Sequence, residues 1–304
     1  MYCHFIWLGW LKIVFFLLFF LWPLSAYTEP RIIASIKPIY SLVAGVMYGV
    51  GEPTLLLHGG ASPHEHSLRP SEIRIINEAN VVFWVGPDLE NFLIKPLNSA
   101  KTRSISLLET HGIEILHLRE GGIWDQNAHH TNQSSRDTHI WLDPINAIVM
   151  VKRITSVLSE VDSSHRIIYE RNGASLVARL GQLNKQLEVE LTPIKDKAYI
   201  VFHDAYQYFE RRYGLRGVGS IVLNPEQQPS VRRISEIQTL IHSLDVRCVF
   251  SEPQFQPALV DTIVASSGIH SGVLDPIGAG SPAGIEAYFT LLQGLVDGLL
   301  ACLK

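Results

Sequence analysis

Three histidines, each set in its own short motif and far apart along the chain, carry the chemistry legible in this sequence. His64 stands in Gly-Ala-Ser-Pro-His-Glu-His-Ser-Leu-Arg-Pro-Ser, His139 in His-Ile-Trp-Leu-Asp-Pro and His203 in Val-Phe-His-Asp-Ala-Tyr. An Asp-Pro-Ile-Gly stretch beginning at Asp275 offers a fourth group. Neutral imidazoles with at most one carboxylate suit Zn²⁺, a tetrahedral ion of borderline softness. Ligands drawn from four distant segments imply a site where loops converge between two domains. A zinc-finger-like module would instead cluster its ligands locally.

Loops can converge in this way only if regular elements hold them. The apolar run over 31–36, the helix-like stretch from Pro38 to Met47 and a strand over 54–57 lead to the first histidine motif. A helix over 71–79 with Ser71 as N-cap, a continuous apolar run over 81–85 and a further strand over 104–107 follow. Strands alternating with helices argue for an α/β domain with a mostly parallel sheet. Residues 111–138 break the rhythm and read as a polar surface loop. It carries His111, His117, His129 and His130, which are either loose metal-capturing groups or incidental. Helical character then runs to about Val161. A proline-free stretch, 164 to about 191, predicts a helix of roughly 40 Å, long enough to run along two domains. Beyond Pro193 the α/β rhythm resumes, with strands over 198–202, 218–222, 246–250 and 272–274 and a last helix over 285–303.

His64, His203 and Asp275 fall just after predicted strands, where open α/β sheets collect their binding loops. His66 is the weaker ligand candidate, because two positions along an extended segment need not aim at one ion. Glu65 is either an outer group or a solvated charge. Asp204 beside His203 and Asp143 near His139 either hold imidazoles in the right tautomer or cap helices. Glu252 either orients a metal ligand or caps a turn. Ser230 opens the helix after it.

The ends and composition set the compartment. An apolar run from Ile13 to Trp22 after Lys12, broken by Pro23 and followed by Ser25 and Ala26, reads as a secretory signal peptide over 1–26. The competing reading is an uncleaved anchor, since Phe5–Leu24 nears the ~20-residue spanning length. No cysteine stands directly after the run, which argues against lipid attachment. A net charge of −4 gives no basic face for nucleic acid. Residues 27–304 exceed a comfortable single core, so two domains are expected. Of three cysteines, Cys248 and Cys302 lie beyond the leader, and such a pair in an exported protein reads as a disulfide. A cysteine-containing metal site competes with that reading.

The chain resembles the ZnuA-like group of metal-binding solute receptors, the periplasmic zinc-binding proteins of bacterial ABC uptake systems. The resemblance covers essentially all of 31–304. It rests on Ser-Ile-Lys-Pro at Ser35, the first histidine motif from Ala61, Val-Gly-Pro at Val85 and the His139 and His203 motifs. Leu-Asn-Pro-Glu at Leu223, Ser-Glu-Pro-Gln-Phe at Ser251 and Leu-Asp-Pro-Ile-Gly at Leu274 complete it. It implies two α/β lobes with mostly parallel sheets flanked by helices, residues 27–163 and 193–304, joined by one long helix over 164–192. The metal would lie in the cleft between them. The resemblance carries the metal positions to His64, His139 and His203, with Asp275 as the frequent fourth ligand. A histidine rather than a carboxylate at 203 favours zinc over manganese. The Cys248–Cys302 pair matches a disulfide of close zinc-binding relatives. Pro63 stands where some relatives have a glutamate that reaches the metal, which leaves Asp275 or a water in the fourth position. The loop before His139 is also less dense in histidine and acid than in many zinc receptors, which argues against an auxiliary loading role.

The function implied is a monomeric receptor, not an enzyme, that captures Zn²⁺ in the periplasm for a membrane permease driven by a cytoplasmic ATPase. The alternative from another class is a secreted zinc hydrolase with Glu65 or Glu252 as base. The chain lacks His-Glu-x-x-His, and a carboxylate at Asp275 would close the open position a hydrolase needs. Surface adhesin and manganese receptor are the remaining readings. Three imidazoles and one carboxylate around Zn²⁺ leave a net charge near +1, so carboxylates are expected behind the ligands. Because imidazoles bind metal deprotonated, affinity should fall as pH drops through ~6.5.

Overall fold

The computed structural model describes residues 29–119, 124, 135–222, 228–255 and 258–304. The expected signal peptide, His129, His130 and the motif at 223–226 lie outside the described residues. Among those described, no helix is long and apolar enough to cross a membrane.

The continuous apolar runs become buried parallel strands, as their lack of alternation requires. Strands β1 (Ile32–Ala34), β2 (Thr54–Leu55), β3 (Val81–Trp84) and β4 (Arg103–Ser106) form one sheet in the order β2-β1-β3-β4. Ile33 lies level with Thr54 on one side and Val82 on the other. Helices α1 (Lys37–Met47), α2 (Pro70–Glu78) and α3 (Ile94–Ser99) accompany it. The second sheet holds β5 (Tyr199–His203), β6 (Gly217–Val222), β7 (Cys248–Ser251) and β8 (His270–Val273) in the order β6-β5-β7-β8. All its pairings are parallel. The second sheet thus repeats the strand order of the first.

Two long helices lie between the sheets in sequence. Pro144 sits in the first turn of α4 (Pro144–Val161), and the Asp143 carboxylate caps it by accepting from the Ile145 N–H at 2.8 Å. Helix α5 (Arg166–Leu191) spans 26 residues, about 39 Å at 1.5 Å per residue. It buries only a narrow stripe, Tyr169, Gly173, Leu176, Leu180, Leu183, Leu187 and Leu191. Steps of three and four place these residues on one face, which is why so polar a helix is stable along its full length. At Gly173 a Cβ would collide with Thr155, so glycine is what lets α4 and α5 approach. Helices α6 (Gln207–Tyr213), α7 (Val231–Ser243), α8 (Ala258–Ser267) and α9 (Ala287–Leu303) complete the second half.

Several boundaries differ from the sequence reading, most by one or two residues. Helix α2 begins at Pro70, with Arg69 as its N-cap. The Glu72 carboxylate reaches back to accept from the Arg69 N–H at 2.6 Å. Ser71 therefore sits inside the first turn. Strand β8 begins earlier, at His270, and α9 later, at Ala287. Ser230 caps α7 as expected, accepting from the Arg233 N–H.

One hydrophobic core runs through both halves. It joins Ile33 and Phe83 of the first sheet to Leu180 and Leu187 of α5, then to Tyr199, Phe250, Tyr288 and Leu292 of the second half. A second cluster, with Ile200, Val249, Ile237 and Ile263, lies on the outer face of the second sheet. Cys248, at the head of β7, is bonded to Cys302 in the last turn of α9, with Cα atoms 6.0 Å apart. That bond closes a loop of 54 positions, worth roughly 4 kcal/mol in the chain-entropy model. Replacing both cysteines by serine should lower the unfolding free energy by about that amount. Chemical denaturation of the zinc-free protein measures it, and a loss below about 1 kcal/mol would contradict this role of the bond.

Candidate metal centre

Each histidine reaches the site from a loop placed by a strand or a short turn. Strand β2 feeds the segment that ends in His64. Pro63 beside it is buried, and the Ser62 hydroxyl accepts from the His64 N–H at 3.3 Å. His203 is the last residue of β5, level with Val222 of β6. His139 precedes a single helical turn, Ile140–Leu142, whose side chains are fully buried. Its ring packs on the indole of Trp141, with centroids 5.3 Å apart.

The three rings form a nearly equilateral triangle. Centroid separations are 5.5 Å for His64–His139, 5.6 Å for His64–His203 and 5.3 Å for His139–His203. One ring nitrogen from each lies within 4.8 Å of the others. The Nε2 atoms of His139 and His203 are 3.4 Å apart. Two nitrogens bound to one tetrahedral Zn²⁺ at 2.0–2.1 Å would stand roughly 3.3 Å apart, so this pair is spaced for a shared ion.

What aims those nitrogens is a carboxylate behind each ring. The Asp137 carboxylate accepts from His139 Nδ1 at 2.8 Å and from the His139 N–H at 3.0 Å. The Glu252 carboxylate, just past β7, accepts from His203 Nδ1 at 2.7 Å. A carboxylate partner puts the ring proton on Nδ1 and leaves the Nε2 lone pair pointing inward. Two lone pairs facing each other at 3.4 Å repel unless a cation or a proton sits between them. Asp137 and Glu252 are both buried, and their two negative charges offset a divalent ion.

Proton affinity differs between the rings. Burial holds the His64 pKa far down, at about 2, and the two neighbouring imidazoles add to the effect. His64 is therefore a neutral donor at any physiological pH. For His203, burial also disfavours charge, but Glu252 outweighs it through its charge and hydrogen bond, so the pKa rises above the usual imidazole value.

The other sequence candidates fall elsewhere. Asp275 lies outside the group of three, on the turn after β8. Its Oδ1 accepts from Gln254 Nε2 at 2.7 Å and from the Ile277 N–H at 3.2 Å. Its Oδ2 accepts from the Gly280 N–H at 3.3 Å. The neighbouring Pro276 and Ile277 line the cavity over the histidines, with Pro63, Trp141 and Phe255. His66 turns to Glu72, 3.3 Å away, and to the Phe92 ring. Glu65, His111 and His117 are exposed. Asp204 and Asp143 hydrogen-bond to other groups rather than to the imidazoles. Arg119 binds Asp204 through two guanidinium nitrogens, and Asp143 caps α4 while pairing with Arg212 at 2.9 Å. The partner of His139 is instead Asp137, which the sequence reading missed. Its signal was an acid two residues before the ligand, a spacing that lets one carboxylate meet both the ring and the backbone of the same histidine.

Comparison with known proteins gives a consistent picture. The family model described as zinc-uptake complex component A, periplasmic (ZnuA), matches residues 32–302. The chain is 38% identical over 305 residues to the high-affinity zinc uptake system protein ZnuA of Brucella suis biovar 1, covering 90% of this chain and 91% of that protein. It is 33% identical over 289 residues to the protein of the same name from Yersinia pestis, with 90% and 91% covered. A crystal structure of ZnuA superposes with a TM-score of 0.78 at 24% identity, covering 91% of this chain and all of that one.

Proton competition should follow the two shifted histidines. Since His64 stays neutral, at most two protons can be displaced by the metal in the acid range. Since His203 has a raised pKa, competition should begin above pH 6.5 and deepen as pH falls. The logarithm of the zinc dissociation constant should therefore rise as pH falls from 7 to 5.5, with a slope that stays below three per pH unit. A flat profile, or a slope of three, would contradict these assignments.

Proposed function

The chain belongs to the ZnuA family of periplasmic zinc-uptake components, and from that premise we propose that it is a receptor that captures Zn²⁺ for import. The observation that carries the reading is the pair of imidazoles locked by Asp137 and Glu252 with their Nε2 atoms 3.4 Å apart. His64, His139 and His203 hold the ion. Asp275 supplies the fourth ligand, reaching the ion by giving up donors of its own turn. The protein works in the periplasm, exported by the segment over 1–26, as a monomer that delivers its ion to an ABC permease with a cytoplasmic ATPase.

The chemistry of capture follows from the donor set. Three imidazoles favour zinc over harder ions such as manganese, which prefer more oxygen. Burial between the halves removes the ion from water, and the two outer carboxylates offset its charge. A hydrolase needs a free base beside an open metal position. Glu252 is already bonded to His203 Nδ1 and Glu65 faces solvent, which favours the receptor reading.

Native mass spectrometry of metal-stripped protein with equimolar Zn²⁺ and Mn²⁺ tests the proposal. One zinc per chain should be retained. His203→Ala should weaken binding by more than the 10–100-fold typical of an outer-shell partner, whereas Asp275→Ala should cost roughly 10-fold or more. Preference for manganese, or zinc held equally well without His203, would sink the assignment.

A further inference from the structure

The turn that carries Asp275 is fastened to the opposite half of the molecule. Lys37 opens α1 in the first half and is 8% exposed as a residue. Its ammonium donates to three carbonyl oxygens of a single turn more than 240 residues away: Gly278 at 2.5 Å, Ala279 at 3.1 Å and Ser281 at 2.6 Å. Those three bonds use all the donors a lysine has. The same turn supplies the Gly280 N–H that holds Asp275 Oδ2.

Neighbouring bonds extend the attachment. Trp141 Nε1 donates to the Pro276 carbonyl at 2.7 Å. The Ser41 hydroxyl, one turn along α1 from Lys37, donates to the Ile285 carbonyl and accepts from the Tyr288 N–H, each at 3.0 Å. Tyr288 in turn donates to the Trp141 carbonyl at 2.7 Å. Burying an ammonium is costly unless it is fully bonded. Here burial draws the lysine pKa down while the charge of Asp275 pushes it back up. A methionine or leucine would fill the space without that cost, so a buried lysine here calls for a reason beyond packing.

We propose that Lys37 is a positioning residue for the fourth coordination position, clamping the 278–281 turn so that Asp275 is presented to the ion held by the three histidines. This rests on the zinc-receptor reading above and deepens it. Lys37 touches no metal. It acts by fixing the loop, so that the carboxylate leaves its turn for the ion from one defined position. Without the clamp the carboxylate would reach the ion from a broader set of positions, and zinc would leave faster.

Stopped-flow release of Zn²⁺ into an excess of chromophoric chelator tests this on the purified protein, as a double-mutant cycle of Lys37→Met and Asp275→Ala. Each single variant should release zinc about tenfold faster or more, and the double variant no faster than the faster single. Lys37→Gln, which keeps an amide donor, should fall between wild type and Lys37→Met, and it takes the same cycle if the methionine variant does not fold. Release at the wild-type rate, or an effect of the same size in the Asp275→Ala background, would overturn the proposal. Failures remain separable. Zinc retained by His203→Ala removes the ligand set itself, and Asp275→Ala at the wild-type rate removes the fourth ligand and this inference with it.

Discussion

The facing of His139 and His203 at the candidate centre depends on two buried hydrogen bonds, His139 Nδ1 to Asp137 and His203 Nδ1 to Glu252. A free imidazole can carry its proton on either nitrogen and rotate about two torsions. Each carboxylate removes both freedoms, and together they force two lone pairs into a spacing that is unfavourable alone and suited to a shared cation. The site is thus prepared in advance, because the fold holds the two nitrogens at a spacing that calls for a shared cation or proton between them. His64 has no hydrogen bond of this kind to its ring among the described residues, so its part in the triangle is set by the Pro63 segment and by packing.

Holding that spacing requires the two halves to stay in register, since His139 comes from one and His203 from the other. The continuous core supplies most of the stiffness, and the buried stripe of α5 carries it along both halves. Polar contacts across the divide add direction. The Tyr208 hydroxyl accepts from the Leu116 N–H and donates to the Asp137 carbonyl, both at 2.9 Å. A helix that follows His203 therefore steadies the residue that orients His139. Arg212 on the same helix pairs with Asp143, and Arg119 crosses to Asp204 and Glu210. A receptor built this way is expected to bind and release by local rearrangement of loops rather than by wide opening of its halves.

Much of this was legible in the sequence because it depends on local pattern. An unalternating apolar run such as 81–85, closed by Gly86-Pro87, reads as a buried strand, and a proline-free stretch rich in Leu, Arg, Glu and Gln that Pro193 closes reads as a long helix. The three histidines stood out because each lay in a stiff motif at the end of an element. What escaped were relations between distant or ambiguous groups. Asp204 and Asp143 were adjacent to the right histidines, yet arginines from other segments claimed them. Asp137 looked like part of a polar loop, and only its approach to the His139 backbone distinguishes it. The bond from Lys37 to the 278–281 turn joins the two ends of the chain, and no local spacing encodes it. Ser71 was a plausible cap by type, but Glu72 capped through the Arg69 backbone instead.

X-ray absorption at the zinc K-edge of the one-to-one complex tests three-histidine coordination most directly. The structure predicts three imidazole nitrogens at about 2.0–2.1 Å with one oxygen completing the shell, falling to two imidazoles in His203→Ala. Two or fewer imidazoles in the wild-type spectrum, or a sulfur ligand, would contradict it.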